Sequence, residues 1–216
     1  MNNIQRDLLR FLKKSSSTSW PQLSLAINEF KGYYLRIIPT NIEYLDELDI
    51  IFLTNLRNRY VKSFLTEFVA NDHQTANWLA NTVHADDTRI LFMVENEFHD
   101  RLGYMGLAYI DWEKSYVEAD AIVSGGFTPK GLMASSLRTL LLWAKHQLSL
   151  ENVGVRVLSD NPALSFYKKI GFEENKRVPL RSTSSGTSIE WVEDISLTTP
   201  DRYLVHHFWN ELQTKS

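Results

Sequence analysis

One stretch of this chain decides its fold, namely Asn161-Pro-Ala-Leu-Ser-Phe-Tyr-Lys-Lys-Ile-Gly-Phe172. It follows residues 153–158, an apolar run typical of a β-strand. Asn161 predicts a helix N-cap, and Pro162 suits the first helical position. One helical face, with i, i+3, i+4 and i+7 spacing, is formed by Ala163, Phe166, Tyr167 and Ile170. Gly171 then stands where a helix end needs a left-handed residue. The stretch therefore predicts a short helix that follows a strand.

The composition is that of a globular protein. The chain has 216 residues, of which 44% are hydrophobic and 23% are charged. That length allows one domain of about 100–200 residues with an extension. The net charge of −3 offers no electrostatic basis for binding nucleic acid. The absence of cysteine excludes disulfides, zinc–thiolate sites and a cysteine nucleophile, and it favours a cytoplasmic location. No apolar run approaches the roughly 18 residues of a membrane span.

Residues 1–32 are expected to form a helical extension. Charged residues interrupt the start of the chain and argue against a signal peptide: Arg6, Arg10, Lys13 and Lys14. A helical stripe is formed by Ile4, Leu8, Phe11 and Leu12. It predicts a helix that packs on the body of the protein or on a second subunit. A membrane-surface helix is disfavoured because the stripe is short and the chain is slightly acidic.

From about residue 33 the pattern alternates between strands and helices. A strand is predicted at 34–38, followed by a capping box from Thr40 to Glu43. The helix after it has an apolar face formed by Leu45, Leu48, Ile51, Phe52 and Leu56. A second helix is expected at 72–83, with its inward positions at Trp78, Leu79 and Val83.

Three strands are predicted next, at 90–95, 102–111 and 116–124. The middle one is apolar at nearly every position, which predicts burial on both faces. The third alternates. One face is expected to carry Val117, Ala119, Ala121 and Val123. The opposite face is expected to carry Tyr116, Glu118, Asp120 and Ile122.

The remaining chain predicts a long helix at 132–148, with inward Leu137, Leu140, Leu141, Ala144 and Leu148. After the strand at 153–158 and the short helix, strands are expected near 172–181 and 188–197. A final helix is predicted near 201–212, with a stripe of Val205, Phe208, Trp209 and Leu212. Strands with helices on both sides indicate a mixed α/β sandwich.

The order of these elements and the motif at 161–172 resemble the Gcn5-related N-acetyltransferase (GNAT) superfamily over residues 33–198. The resemblance implies the GNAT fold, an α/β (α+β) arrangement with a mixed, central, largely antiparallel sheet flanked by helices. Residues 1–32 would add an N-terminal helical extension, and residues 199–216 a C-terminal helix. Members of this superfamily transfer acyl groups from coenzyme A (CoA) to amines.

The loop Ser124-Gly-Gly-Phe-Thr-Pro-Lys-Gly-Leu-Met133 joins a strand to the long helix. Its glycines and the helix N-terminus would form an anion site suited to a pyrophosphate. The family pattern at this place is Arg/Gln-x-x-Gly-x-Gly/Ala. Only Gly131 matches it, because Thr128 replaces the first residue and Met133 the last. The resemblance implies backbone donors at Lys130, Gly131, Leu132 and Met133, whereas the alternative is an ordinary turn before a helix.

The resemblance further implies acyl-CoA as cosubstrate. The backbone of Ile122, Val123 and Ser124 would orient the acyl and pantetheine carbonyls. Asn161 and Phe166 would lie along the pantetheine arm. Tyr167 would protonate the departing thiolate, as a phenol of pKa about 10 can do. Its apolar neighbours also allow Tyr167 to be simply a core residue.

Glu118 and Asp120 are the candidate bases for the amine. In the resembled family, the strand that carries them runs beside the acyl group. Asp111 is a weaker candidate, and a neutral amine would need no base. The alternative is a pair of solvated or ion-paired strand residues.

The acceptor region is suggested by Leu56-Arg-Asn58 followed by Trp78. This arrangement resembles a subgroup that acylates nucleotide-linked amino sugars, and related members modify protein N-termini. Arg57 and Arg59 suit phosphates, and Asn58 belongs to the same motif. Tyr109, Trp112 and Trp78 suit stacking on a base or a sugar. The alternative is surface charge and core aromatics.

Metal chemistry is not expected, because the six histidines lack metal-ligand spacing. The sequence therefore predicts an acyl-CoA-dependent N-acyltransferase that acts by direct attack in a ternary complex. The favoured acceptor is a nucleotide-linked amino sugar of surface-polysaccharide (lipopolysaccharide) biosynthesis. The alternatives are a protein N-terminus, a small amine such as an antibiotic or a polyamine, or a non-catalytic acyl-CoA-binding domain. The terminal extensions favour a homodimer.

Overall fold

The structure is a computed structural model that describes residues 3–14 and 23–210. The helices in this part of the chain are α1 (Asn3–Lys14), α2 (Glu47–Arg59), α3 (Asp72–Asn77), α4 (Leu132–Leu148) and α5 (Leu164–Ile170). The strands are β1 (Ser24–Ala26), β2 (Tyr33–Ile37), β3 (Thr66–Glu67), β4 (Ile90–Asn96), β5 (Arg101–Asp111), β6 (Tyr116–Ser124), β7 (Asn152–Leu158), β8 (Phe172–Ser185), β9 (Ser188–Glu193) and β10 (Arg202–Trp209). None of these helices has the length and apolar character required to cross a membrane.

The chain divides into two compact units, and residues 57–70 and 154–210 form the second of them. In the first unit the strands follow the order β1-β2-β4-β5-β6, and every neighbouring pair is antiparallel. In the second unit the order is β7-β10-β8-β9-β3, again with antiparallel neighbours. These pairings confirm the largely antiparallel sheet predicted from the sequence.

Helix α4 supplies much of the core of the first unit. Its inward positions are at most 1% exposed, as predicted: Leu137, Leu140, Leu141, Ala144 and Leu148. Trp143 on this helix meets Phe92 of β4 edge to face, with ring centroids 5.5 Å apart. Six consecutive residues of β5 are buried, which confirms the prediction of burial on both faces.

A buried ion network holds α2 to the sheet of the first unit. Arg36 of β2 pairs with Asp49 of α2, with Nη2–Oδ1 and Nη1–Oδ2 distances of 2.9 and 3.1 Å. Its Nε lies 2.9 Å from Oε2 of Glu95 on β4. Arg101 of β5 also reaches Asp49, at 2.6 Å. Burial alone would lower the pKa of Arg36, but Asp49 and Glu95 outweigh burial and raise it.

This network explains why the predicted inner face of α2 is partly wrong. Leu48 is 60% exposed, whereas Ile50 and Leu53 are buried. Because Asp49 must face Arg36, its neighbour Leu48 turns toward solvent. The predicted capping box is also wrong, since α2 is capped by Asp46, whose Oδ1 accepts from the Leu48 amide at 2.8 Å.

The predicted second helix is interrupted. Asn71 caps α3 with a full capping box. From Trp78 to Val83 the backbone is a π-helical turn. Leu79 and Val83 are buried as expected, at 1% and 0% exposure.

Helix α1 lies in the first unit, as a helix that packs on the body of the protein. Lys13 is 2% exposed and its Nζ donates to the Asp86 carbonyl at 2.6 Å. Arg10 pairs with Asp87 at 2.5 Å. With these contacts, the buried face of α1 differs from the predicted stripe. Leu9 is buried, whereas Ile4 and Phe11 are 78% and 63% exposed.

A β-bulge changes the predicted faces of β6. Tyr104 pairs with Val123 and Gly106 with Asp120, so Ala121 and Ile122 together oppose a single residue of β5. Ala121 has a left-handed φ of 53°. Beyond the bulge the alternation inverts, and Val123 lies on the face of Glu118 and Asp120. The predicted assignment of Val123 to the opposite face is therefore wrong.

The predicted C-terminal helix is wrong. Residues 202–209 form β10, which pairs with β7 on one side and β8 on the other. The apolar run fits a strand buried between two neighbours, and a short run of this kind does not distinguish a strand from a helix. Within β10, His207 is 1% exposed, and burial lowers its pKa. Leu212 lies outside the described residues.

Replacing Asp49 with asparagine should lower the free energy of unfolding by about 3–5 kcal/mol, because it leaves the buried Arg36 charge undercompensated. Urea unfolding of Asp49→Asn measures this. Glu47→Gln is the matched control, since Glu47 is an exposed carboxylate on the same helix. It should change the value by less than about 0.5 kcal/mol. Equal losses in the two variants would contradict the network's role.

Candidate active site

The loop between β6 and α4 is fixed to the sheet of the first unit. The Gly125 amide donates to the Leu102 carbonyl at 2.7 Å. A Cβ at residue 125 would lie 2.7 Å from that same oxygen, so only glycine fits. The hydroxyls of Ser124 and Thr128 are 2.5 Å apart and hydrogen-bonded. Thr128, which departs from the family pattern, therefore has a loop-closing contact.

The N-terminus of α4 offers backbone donors. Gly131 has a φ of 91° and occupies the N-cap position. The first amides of a helix have no acceptor within it, which gives this end a partial positive charge. Here the Leu132 amide donates to the Pro129 carbonyl just before the helix, at 3.0 Å. The first turn consists of Leu, Met, Ala and Ser, and the Ser135 hydroxyl in it donates to Oε2 of Glu29 at 2.9 Å. The side chain of Lys130 is exposed beside it.

The side chains of Leu132 and Met133 pack against the protein interior at this end of α4. The Leu132 side chain is fully buried. A Cβ on Gly103 would lie 2.9 Å from Sδ of Met133, so the methionine packs directly on β5. The larger residue at 133, where the family has glycine or alanine, fills space over Gly103 of the sheet.

Two predicted carboxylates lie on β6 in different surroundings. Glu118 is 9% exposed, and the Tyr116 hydroxyl donates to its Oε1 at 3.1 Å. The Asp120 side chain is 35% exposed, and its Oδ2 lies 3.9 Å from Nη2 of Arg89. Glu118 is therefore a buried, oriented carboxylate, whereas Asp120 is partly open to solvent and beside a cation.

Tyr116 and Arg89 were not predicted as site residues. Tyr116 precedes Glu118 by two positions, and residues at that spacing on a strand share a face. This i, i+2 spacing is the sequence signal that indicates Tyr116 as a neighbour of Glu118. Arg89 lies 31 positions from Asp120, at the start of another strand, so no local pattern connects them.

The predicted stacking residues of the first unit differ in exposure. Tyr109 lies on a second bulge with a φ of 54° and is 51% exposed. Arg89 lies over its ring, 5.6 Å from the centroid. Trp112 is only 7% exposed, and Trp78 is half-buried at the start of the π-helical turn. Tyr109 is therefore the most accessible of the three.

In the second unit, the motif at 161–172 forms the predicted short helix that ends at Gly171. The predicted N-cap at Asn161 and first helical position at Pro162 are wrong, because α5 begins at Leu164 with Ala163 at its N-cap. Oδ1 of Asn161 accepts from the Ala163 amide at 2.9 Å, just before α5. Gly171 ends the helix with a φ of 105°. Tyr167 is 6% exposed and meets Phe166 and Phe172 edge to face. The aromatic contacts hold the orientation of the phenol ring.

Arg57 and Asn58 also belong to the second unit, where both contact the segment that follows α2. The Arg57 guanidinium lies 4.0 Å from the Phe64 ring centroid and donates to the Thr66 carbonyl. The Asn58 amide pairs with both backbone groups of Ala70, each at 2.8 Å. These two hydrogen bonds hold the backbone at Ala70, and they give Asn58 a structural role in the segment that follows α2.

No group of three or more histidine, aspartate or glutamate side chains suited to a metal ion occurs among residues 3–14 and 23–210.

Residues 35–173 match the model of the acetyltransferase (GNAT) domain family. No curated protein matches the sequence.

Solved structures show the same fold. Spermidine N-acetyltransferase from Vibrio cholerae in complex with CoA and spermine has a TM-score of 0.63 and 18% identity, over 87% of this chain and 100% of that one. The dodecameric structure of spermidine N-acetyltransferase from Vibrio cholerae, in an intermediate state, has a TM-score of 0.59 and 18% identity, over 87% and 98% of the two chains. At this identity the likeness is one of fold. Since the family model spans more than half of the chain, the protein belongs to the GNAT acetyltransferase family and is an acyl-CoA-dependent N-acyltransferase.

Proposed function

We propose that this enzyme transfers an acetyl or other short acyl group from acyl-CoA to a small, positively charged amine of the polyamine class. The observation that supports the proposal is the pair of negatively charged side chains on β6. Two carboxylates, Glu118 and Asp120, lie there on one face of the strand, and the guanidinium of Arg89 lies 3.9 Å from Asp120. Carboxylates on one face of a strand attract an ammonium acceptor. The fold is compatible with an acceptor of this class, since spermidine N-acetyltransferase from Vibrio cholerae, which has a similar fold, is known in complex with CoA and spermine.

A nucleotide-linked amino sugar is the second candidate acceptor. Its diphosphate would need cations, and Arg59 is exposed at the C-terminal end of α2. Arg57 supports it less, because its guanidinium lies against the rings of Phe64 and Phe68. The local charges therefore favour the polyamine.

The proposed mechanism begins with binding of the cosubstrate. Backbone amides of Lys130, Gly131 and Met133 bind the pyrophosphate of acyl-CoA at the N-terminus of α4. The Leu132 amide is left out because it donates to the Pro129 carbonyl. The bulge in β6 disrupts the ladder, which leaves a backbone group near Ile122 to orient the pantetheine and acyl carbonyls. Asn161 and Phe166 lie along the pantetheine arm. Positioning of this kind supplies most of the rate enhancement.

The chemical step forms a C–N bond and breaks a C–S bond. The amine nitrogen attacks the thioester carbonyl directly. Glu118 accepts the proton that the nitrogen loses, and Tyr167 donates a proton to the departing thiolate. Asp120 attracts the ammonium groups of the acceptor. The products are the N-acyl amine and free CoA.

A thiol-release assay with acetyl-CoA tests the acceptor class. The panel contains spermidine, a nucleotide-linked amino sugar, an aminoglycoside and a peptide with a free N-terminus. We expect spermidine to be acylated with the highest kcat/KM. The highest value for the amino sugar, the aminoglycoside or the peptide would contradict the polyamine proposal. A thermal shift with CoA but no thiol release from any amine would indicate a non-catalytic CoA-binding domain.

Glu118→Gln and Asp120→Asn form a matched pair that separates the two carboxylates. Loss of the proposed base should lower kcat by about 10²–10⁴ and leave KM for the amine nearly unchanged. Asp120→Asn should instead raise KM for the amine, because one attractive charge is lost. Steady-state kinetics with the best acceptor measures both. A larger fall of kcat in Asp120→Asn would reverse the assignment.

Tyr167→Phe should lower kcat by at least about tenfold, since the thiolate loses its proton donor. The fold should persist, because phenylalanine retains the ring that meets Phe166 and Phe172. Tyr33→Phe, on β2, is the control and should keep full activity. An unchanged kcat in Tyr167→Phe, with thioester cleavage rate-limiting, would remove this residue from the mechanism.

A further inference from the structure

Phe127 lies in the loop between β6 and α4, and its side chain is 98% exposed. Among residues 3–14 and 23–210, no other large hydrophobic side chain is exposed to this degree. A single exposed apolar residue is common on protein surfaces and is not informative by itself. The way in which the loop is held makes this one informative.

Both sides of Phe127 are restrained. Before it, Gly125 is fixed against the Leu102 carbonyl, and Gly126 adopts a φ of 103°. After it, Thr128 is bonded to Ser124 through the two hydroxyls at 2.5 Å. The loop is therefore closed at its base, and Phe127 lies at the tip of a restrained turn. Its exposure follows from the shape of this loop.

The position of this tip relative to α4 suggests what it contacts. Phe127 precedes Gly131, the N-cap of α4, by four residues, which span at most about 14 Å. In CoA the adenine is joined to the pyrophosphate through one ribose. A pyrophosphate at the N-terminus of α4 therefore brings the adenosine to the neighbourhood of this loop.

We propose that Phe127 is a CoA-binding residue that stacks on the adenine of the bound acyl-CoA. The proposal rests on the pyrophosphate site described under the proposed function. An aromatic ring binds the π-face of a base without hydrogen-bond partners, so an exposed phenylalanine is sufficient. The pantetheine arm contains no ring, and its expected place is along β6. The stacking partner is therefore the base.

Binding of three ligands to the full chain tests the proposal. Isothermal titration of CoA, 3′-dephospho-CoA and 4′-phosphopantetheine separates the adenine from the rest of the cofactor. For Phe127→Ala we expect the Kd of the two adenine-containing ligands to rise about 5- to 150-fold. The Kd of 4′-phosphopantetheine should stay within about twofold. Phe127→Trp should retain the affinity for CoA, because indole also stacks.

Phe98→Ala is the matched control, since Phe98 is also highly exposed, at 76%, and lies in the turn between β4 and β5. It should leave all three Kd values unchanged. An unchanged Kd for CoA in Phe127→Ala would overturn the proposal, and so would an equal loss for 4′-phosphopantetheine. Failure of the wild-type chain to bind CoA at all would instead overturn the proposed cofactor site, so the two failures are distinguishable.

Discussion

The guanidinium of Arg36, buried between Asp49 and Glu95, is the constraint on which the first unit depends. A buried cation must be paired, because an uncompensated charge in the interior is strongly destabilising. The pairing brings α2 against β2 and β4 and determines which side of α2 faces inward. On that helix, Phe52 lies beside the glycine loop, where its ring would be 3.2 Å from a Cβ on Gly125. Helix α2 thus connects the ion network to the loop between β6 and α4.

The bulge in β6 links the fold to the chemistry. It inserts one residue opposite β5, and Ala121 adopts a backbone conformation that side-chain-bearing residues rarely occupy. A regular strand would satisfy every backbone group in the ladder, whereas a bulge leaves its extra residue outside it. It also places Val123 on the face that carries Glu118 and Asp120. The same irregularity therefore supports the proposed roles of the backbone and of the carboxylates.

Family and acceptor rest on different kinds of observation. The family follows from a match that spans residues 35–173 and carries the use of acyl-CoA with it. The acceptor depends on a few side chains whose charges the fold brings together, and solved structures at 18% identity inform only the fold. Arg57 illustrates the difference. The sequence suggested a phosphate-binding cation, but its guanidinium lies against Phe64 and Phe68 and bonds to a backbone carbonyl.

By itself, the sequence determined the helix that ends at Gly171, the antiparallel strands β4 to β6, and the family with its cofactor. The helix and each strand depend on spacing within about a dozen residues, and the family depends on the order of the elements over residues 33–198. Only the tertiary structure decided that residues 202–209 form a strand, because a short apolar run becomes helix or strand according to its neighbours. It also decided the orientation of α2 and the pairing of Arg89 with Asp120. These depend on contacts between residues 13 to 59 positions apart, for which no local pattern exists.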